Sequence, residues 1–155
     1  MSTPSARRAS LRAVLWFSGG LLAGVVLRAV LRSRLQSPGE PTLSLAAYIP
    51  NELAGLLVAT AVLVWMGAVG AEILLRLRVG IAPDRPARIA LLGAWLVALS
   101  GPAEATWFLL RRALVEDSPS WISVALASTA IVAAEVIALV FVLRARREVV
   151  ASEAA

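Results

Sequence analysis

Hydrophobic residues fall into four runs, at about residues 11–31, 53–75, 89–110 and 121–143, with charged residues at the ends of each run. A helix of roughly 20 residues, at about 1.5 Å per residue, covers the roughly 30 Å hydrocarbon core of a bilayer. Sheet edges have no hydrogen-bond partners in lipid, so helices are the expected element. The pattern predicts an all-α, polytopic membrane protein whose four transmembrane helices form an antiparallel bundle, a single integral-membrane domain over residues 1–155.

The first run is the least regular, because Arg12 and Arg28 interrupt it. Its Gly20 and Gly24 are spaced to share one helix face, which predicts close packing against another helix. A basic start followed by an apolar centre also fits a cleaved export signal, but no small-residue cleavage site precedes the next charges. We therefore expect this run to be retained as the first helix.

Residues 32–52 are predicted to form an outer loop, because Pro38, Pro41 and Pro50 should interrupt any helix. Between these prolines, the stretch "TLSLAAYI" is apolar enough to lie on a membrane surface as a short helix. Asn51 would then act as the N-cap of the second span.

Arginine supplies all fifteen basic residues of the chain, and ten of them lie in the N-terminal tail, the second loop and the C-terminal tail. Cytoplasmic flanks of membrane proteins carry such an excess. Both termini are therefore predicted to be cytoplasmic. The arginine-only, alanine-rich composition is typical of a bacterial genome of high GC content, so the expected location is the bacterial cytoplasmic membrane.

Composition supports the membrane class and excludes several kinds of catalytic and metal-binding site. The chain is 59% hydrophobic, with a mean hydropathy of +0.81, well above the range of soluble domains. It contains no cysteine and no histidine, which excludes disulfides, thiolate or imidazole catalysis and the usual zinc and iron–sulfur ligands. We expect no metal, no cofactor and no nucleic-acid partner. Catalytic residues cannot be named from this sequence, and an enzyme is not the favoured class.

Three glutamates share one local setting within the runs, in "VGAEIL" (Glu72), "SGPAEATWF" (Glu104) and "VAAEVI" (Glu135). A charge at membrane depth costs about 2.5 kcal/mol or more unless it is paired or neutralised. Glu72 lies four residues before Arg76 and is expected to pair with it, with Trp65 on the same face; these are secondary candidates. The first and third motifs also suggest a duplication relating the second and fourth helices.

Glu104 lies about two turns inside the outer end of its helix, at a depth where Arg28 could meet it. Helical spacing places Ser100 and Trp107 on its face. Glu135 is the most central of the acids and has no arginine within two turns on its own helix. The candidate intramembrane polar site consists of Glu104, Glu135, Ser100, Ser128, Arg28 and Trp107.

Two interpretations of this site follow. In the structural one, Glu104 pairs with Arg28, and Glu135 is a neutral group that hydrogen-bonds between helices. In the functional one, both acids line a polar crevice and exchange protons or bind a cation.

Three functions fit these observations. The first is a proton- or cation-linked transporter or ion-conducting subunit, acting as a homo-oligomer because four helices with few polar positions enclose no pathway alone. The second is a non-catalytic subunit or assembly factor of a larger membrane complex. The third is a membrane-embedded lipid or isoprenoid enzyme with a glutamate as general acid. The expected partners are the lipid bilayer and further copies of the chain or other membrane subunits.

Overall fold

The computed structural model describes residues 4–35, 44–115 and 121–154, and in these ranges the chain is all-α, with four helices and no strand. The helices are α1 (Pro4–Leu35), α2 (Leu45–Arg76), α3 (Arg85–Val115) and α4 (Trp121–Glu153). Each contains a stretch that is long and apolar enough to cross a membrane. The predicted all-α class and helix count are confirmed.

The helices are longer than the hydrophobic runs that predicted them. Each has 31 to 33 residues, equivalent to about 48 Å at 1.5 Å per residue. The predicted boundaries were placed at the first charged residue, but charge alone does not end a helix. α1 therefore continues past Arg28 and Arg32 to Leu35.

The predicted break at Pro50 is wrong, because α2 begins at Leu45 and runs through the proline without interruption. Pro50 lies early in the helix, where its missing N–H removes only one backbone hydrogen bond. Ser44 is the residue before the helix, and Asn51 lies inside the helix and is not its cap. Pro38 and Pro41 lie outside the described residues.

The bundle runs up, down, up and down, with α1 and α3 at its centre. α1 packs against each of the other helices, as does α3. Among the described residues α2 and α4 do not pack against each other, so they occupy opposite flanks. Each flanking helix keeps a broad apolar face on the outside of the bundle, including Leu56 and Leu63 on α2 and Val132 and Val136 on α4.

Small residues allow the central helices to approach closely. The ring of Phe17 is fully buried over Gly93, where an ideal Cβ atom would lie 2.0 Å from the Cζ atom of the ring. Phe141 lies against Gly20, and Val97 against Gly24, each at 3.0 Å from an ideal Cβ position. The close packing predicted for the two glycines of α1 is present, with side chains of α3 and α4 seated on them.

The turn after α2 contains Arg78 in the left-handed conformation, with φ of 59°. The N–H of Val79 donates to the carbonyl of Leu74 at 3.1 Å, and the N–H of Arg78 donates to the carbonyl of Leu75 at 3.3 Å. This is the hydrogen-bond pattern of a Schellman motif, in which the left-handed position normally holds glycine. A non-glycine residue therefore occupies a strained position here.

Candidate functional site

Glu104 is the centre of a polar cluster that ties three helices together. Its Oε1 atom accepts a hydrogen bond from Nε of Arg32 at 2.9 Å. The same guanidinium donates to Oδ1 of Asn51 on α2. Nε of Arg28 lies 3.3 Å from the Oε2 atom of Glu104, so the predicted contact between Arg28 and Glu104 is present. We call Arg28, Arg32, Asn51 and Glu104 the Glu104 cluster.

One oxygen of this buried carboxylate has no hydrogen-bond donor. The Glu104 side chain is only 5% exposed, and its Oε2 atom accepts no hydrogen bond from any group that the structure describes. Arg28 is close enough to attract this oxygen electrostatically, but its N–H group is not directed at it. A buried acceptor without a donor is costly, and here the positive charge of Arg28 offsets part of that cost.

A crevice of about 50 Å³ lies beside Glu104 between α1, α3 and α4. Ser100 also lines it, and the Ser100 hydroxyl donates to the carbonyl of Val97 at 2.7 Å. Arg28, the neighbour of Oε2, lines the crevice, whereas Arg32, which holds Oε1, is not among its lining residues. The remaining walls are small or aliphatic: Gly20, Ala23, Gly24, Val97, Gly101, Ala105, Ile131, Ile137 and Ala138.

Trp107 lies outside this crevice. It is buried, and its ring packs on Tyr48 of α2 with ring centroids 5.1 Å apart. Phe108 and Ala47 complete this small cluster. Because Trp107 lies about one turn beyond Glu104 on α3, these side chains cover the Glu104 cluster at the end of the bundle.

Glu135 and Ser128 are not part of the Glu104 site. Both are exposed on the outside of α4, and Ser128 donates its hydroxyl to the Val124 carbonyl of its own helix at 2.8 Å. The expectation that Glu104 and Glu135 line one crevice is therefore wrong. Buried Ala127 and Ala145 mark the inward face of α4. At about 100° per residue, Glu135 is rotated by roughly a quarter turn from that face.

Glu72 is buried near the opposite end of the bundle. Its Oε1 atom pairs with Nε of Arg76 at 3.2 Å, the predicted contact, and its Oε2 atom accepts a hydrogen bond from the hydroxyl of Ser10 at 2.7 Å. The indole N–H of Trp65 donates a hydrogen bond to Oγ of Ser18 at 2.8 Å and not to Glu72. These contacts fasten α2 to α1, and each polar group has a partner within the chain.

The structure does not place the two repeated glutamate motifs equivalently. Glu72 lies in the last turns of α2 and is buried, whereas Glu135 lies near the middle of α4 and is exposed. The proposed duplication therefore gains no support from these acids.

The charged contacts form two layers. At the end of the bundle that carries the described termini, Arg12 pairs with Glu148 at 3.2 Å and Arg88 with Glu153 at 2.9 Å. The Glu104 cluster forms the other layer. Along α1, Arg12 and Arg28 are about 24 Å apart at 1.5 Å per residue, a little less than the roughly 30 Å core of a bilayer.

Sequence reasoning missed Arg32, Asn51 and Ser10 as polar partners. Arg32 and Asn51 had been assigned to a loop, and Ser10 to a polar tail. One signal was available for Arg32, because it follows Arg28 by four residues and so shares its helix face. For Asn51 and Ser10 no local signal exists, since their partners lie on other helices.

Among the residues that the structure describes, no group of three or more acidic side chains could hold a metal ion. No protein family, curated protein or solved structure matches the chain. The candidate sites must therefore be interpreted from their own chemistry.

Proposed function

We propose that the chain is an integral membrane protein of the bacterial cytoplasmic membrane, with both termini cytoplasmic, that works as a homo-oligomer. Its function in this proposal is proton- or cation-linked transport or ion conduction, with Glu135 at the contact between copies. The observation that carries the proposal is the position of Glu135, near the middle of α4 and exposed on the outside of the bundle.

A carboxyl group facing lipid at mid-span is costly, and ionisable residues in membrane helices almost always face a protein interior or a water-filled cavity. A second copy of the chain covering α4 would give Glu135 such a setting. Val132 and Leu139 share the helix face of Glu135 at i−3 and i+4 and are exposed as well, so a second copy on this face would bury them together with the acid.

Among the described residues, the buried acids are Glu72 and Glu104, and Glu72 is held by Ser10 and Arg76. Glu104 is held by Arg32 and attracted by Arg28, so it is engaged in fastening the helices. The core between the two charged layers is built mainly from Ala, Val and Phe side chains in the described residues. A polar pathway would therefore run between copies, past Glu135, and not through the middle of one bundle.

The alternative function is a non-catalytic subunit or assembly factor of a larger membrane complex. The specific observation in its favour is that both flanking helices expose apolar faces, so a different membrane protein could cover α2 while another covers α4. The lipid- or isoprenoid-enzyme hypothesis has less support, because Glu104, the acid beside the crevice, is engaged by the guanidinium groups of Arg28 and Arg32 in fastening the helices.

The first experiment is purification in a mild detergent with measurement of the mass of the assembly. A homo-oligomer supports the transport proposal, co-purifying foreign subunits support the alternative, and a monomer without partners contradicts both.

The second experiment compares proton and cation flux into liposomes for the wild type, Glu135→Gln and the control Glu52→Gln, another exposed glutamate. We expect Glu135→Gln to lose most of the flux while still assembling, and Glu52→Gln to retain it. Full flux in the Glu135→Gln variant would refute the role of Glu135.

A further inference from the structure

An open cleft of about 840 Å³ lies where the start of α1 meets the turn after α2. This volume falls within the roughly 300–1,000 Å³ of typical small-ligand sites. Two arginines line the cleft, Arg7 from α1 and Arg78 from the turn. The other lining residues of the described chain are glycine, proline or aliphatic: Pro4, Leu75, Val79, Gly80, Ile81 and Pro83. We call this the arginine cleft.

The acids nearest to the arginine cleft along the chain are engaged by other residues. Glu72, three residues before Leu75, is held by Ser10 and Arg76. Asp84 directly follows Pro83 and pairs with Arg88 at 2.6 Å. Among the described residues no carboxylate lines the cleft, so its two guanidinium groups give it a positive charge.

The start of α1 adds to this positive charge. Pro4 is the first residue of the helix and lines the cleft. The amino end of a helix carries a partial positive charge, which an acidic residue in the first turn commonly offsets. α1 has no acidic residue in its first turn. An anion in the cleft would therefore be attracted by the helix end as well as by the arginines.

Arg78 occupies its position at an energetic cost. Its φ of 59° is a conformation that normally holds glycine in this kind of turn. The hydrogen bonds of the turn are made by backbone groups, so they do not require an arginine side chain. Strained backbone positions cluster at ligand-binding sites. The turn gains nothing from the arginine, whereas the cleft gains a cation.

The cleft lies at the depth of phospholipid head groups. Arg7 and Arg28 are about 32 Å apart along α1 at 1.5 Å per residue, close to the roughly 30 Å thickness of the hydrocarbon core. Arg28 belongs to the Glu104 cluster at one edge of the core, so Arg7 lies at the opposite edge. Basic pockets between membrane helices on the cytoplasmic side bind anionic lipid head groups.

We propose that the arginine cleft binds the head group of an anionic phospholipid of the cytoplasmic leaflet, of the phosphatidylglycerol type. Arg7 and Arg78 donate hydrogen bonds to the phosphate oxygens, a pairing that suits the planar guanidinium group. The glycerol and the first methylenes lie against Leu75, Val79 and Ile81. The inference rests on the membrane insertion and orientation proposed above, but not on transport or on Glu135.

Charge favours an anionic lipid over a zwitterionic one. Phosphatidylcholine carries the same phosphate but also a quaternary ammonium, which two guanidinium groups and the amino end of α1 repel. A soluble phosphate would be attracted equally, but it has no apolar part to contact the aliphatic walls. The combination of two cations with hydrocarbon walls therefore favours a lipid.

The test uses the full chain in detergent, exposed to phosphatidylglycerol and phosphatidylcholine with identical acyl chains. Bound lipid is measured by native mass spectrometry. Each arginine near the phosphate contributes about fivefold, so we expect a preference for phosphatidylglycerol of about 25-fold. Equal retention of the two lipids would overturn the proposal.

Three variants locate the binding. Arg7→Gln and Arg78→Gln should each reduce the preference about fivefold, because each removes one lining cation. Arg8→Gln is the matched control, since Arg8 is exposed, neighbours Arg7 and does not line the cleft. We expect the control to change the preference by less than about twofold. Equal losses in all three variants would mean that overall surface charge attracts the lipid, and would refute the site.

Arg78→Gly separates binding from folding. Glycine relieves the positive φ, so this variant should unfold at no lower temperature than the wild type and yet lose about fivefold in preference. A preference unchanged from that of the wild type would contradict the role of the Arg78 guanidinium.

A competition experiment distinguishes a lipid from a soluble phosphate. Inorganic phosphate is added to the complex with phosphatidylglycerol and compared with chloride at the same ionic strength. We expect phosphate to displace no more lipid than chloride does, because the aliphatic walls hold only the lipid. Displacement by phosphate alone would assign the cleft to a soluble phosphate compound and refute the lipid.

Discussion

Replacing Gly93 with alanine should be among the most damaging single-methyl changes in the bundle. The added Cβ atom would lie 2.0 Å from Cζ of Phe17, 2.3 Å from Cε1 and 2.6 Å from Cε2. Carbon atoms in contact normally lie about 3.5 Å or more apart. The ring, or the helix that carries it, must therefore move by about 1.5 Å. Phe17 is fully buried and has no open space into which to rotate.

The size of the effect follows from two opposing terms. Overpacking a well-packed core costs about 1–3 kcal/mol, and a clash of this depth belongs at the upper end. Replacing a helical glycine with alanine recovers up to about 1 kcal/mol of helix propensity. The net loss in free energy of unfolding is therefore about 2 kcal/mol. Gly70→Ala is the control, because an added Cβ meets nothing within 4 Å there and only the propensity gain remains.

The assay is reversible unfolding in mixed detergent micelles, followed by circular dichroism. Leucine in place of Phe17 removes the ring that causes the clash, so Phe17→Leu and Gly93→Ala together should destabilise the protein by about 1 kcal/mol less than the sum of the single changes. A Gly93→Ala variant as stable as Gly70→Ala would refute the packing described here. Additive losses in the double variant would show that the two residues do not meet.

Three further predictions follow. Arg78→Gly should raise the free energy of unfolding by about 0.5–1 kcal/mol, because it removes the roughly 1–2 kcal/mol cost of the positive φ of 59° but adds the larger chain entropy of glycine; a lower melting temperature would contradict this. In double-mutant cycles Glu104 should couple to Arg32 by about 1 kcal/mol and less to Arg28, because only the Arg32 N–H is aligned with an oxygen. A stronger coupling to Arg28 would reverse that ranking. Alkaline phosphatase fused to the C-terminus or inserted in the 77–84 turn should be inactive if both lie in the cytoplasm, and activity at either position would refute the orientation.

The number and type of the helices could be predicted because they depend on a one-dimensional property, the length of each hydrophobic run. Their ends could not, because the ends depend on contacts between helices. Arg32 remains helical while pairing with Glu104, and α2 continues through Pro50. Both features were assigned to a loop from the sequence, where charge and proline are ordinary signals of a boundary.

The depth of a residue in the bundle was predictable, but the direction in which it faces was not. Arg28 and Glu104 lie at similar distances from the same end and carry opposite charges, so their contact followed from depth alone. The direction of Glu135 depends on which side of α4 is covered by neighbours. In a soluble helix, alternation of polar and apolar residues would show this, but α4 is apolar on all sides, since a surface in lipid is as hydrophobic as a core.

The three glutamates differ in whether a single chain supplies hydrogen-bond and ion-pair partners for their carboxylates. This difference separates structural from functional roles. Glu72 has Ser10 and Arg76 as partners, and Glu104 has Arg28 and Arg32. Removing either acid leaves buried groups without partners, so it must cost stability in an isolated chain. Glu135 has no partner among the described residues, so its removal should cost an isolated chain nothing. Any loss caused by Glu135→Gln must then arise from what covers α4 or passes along it.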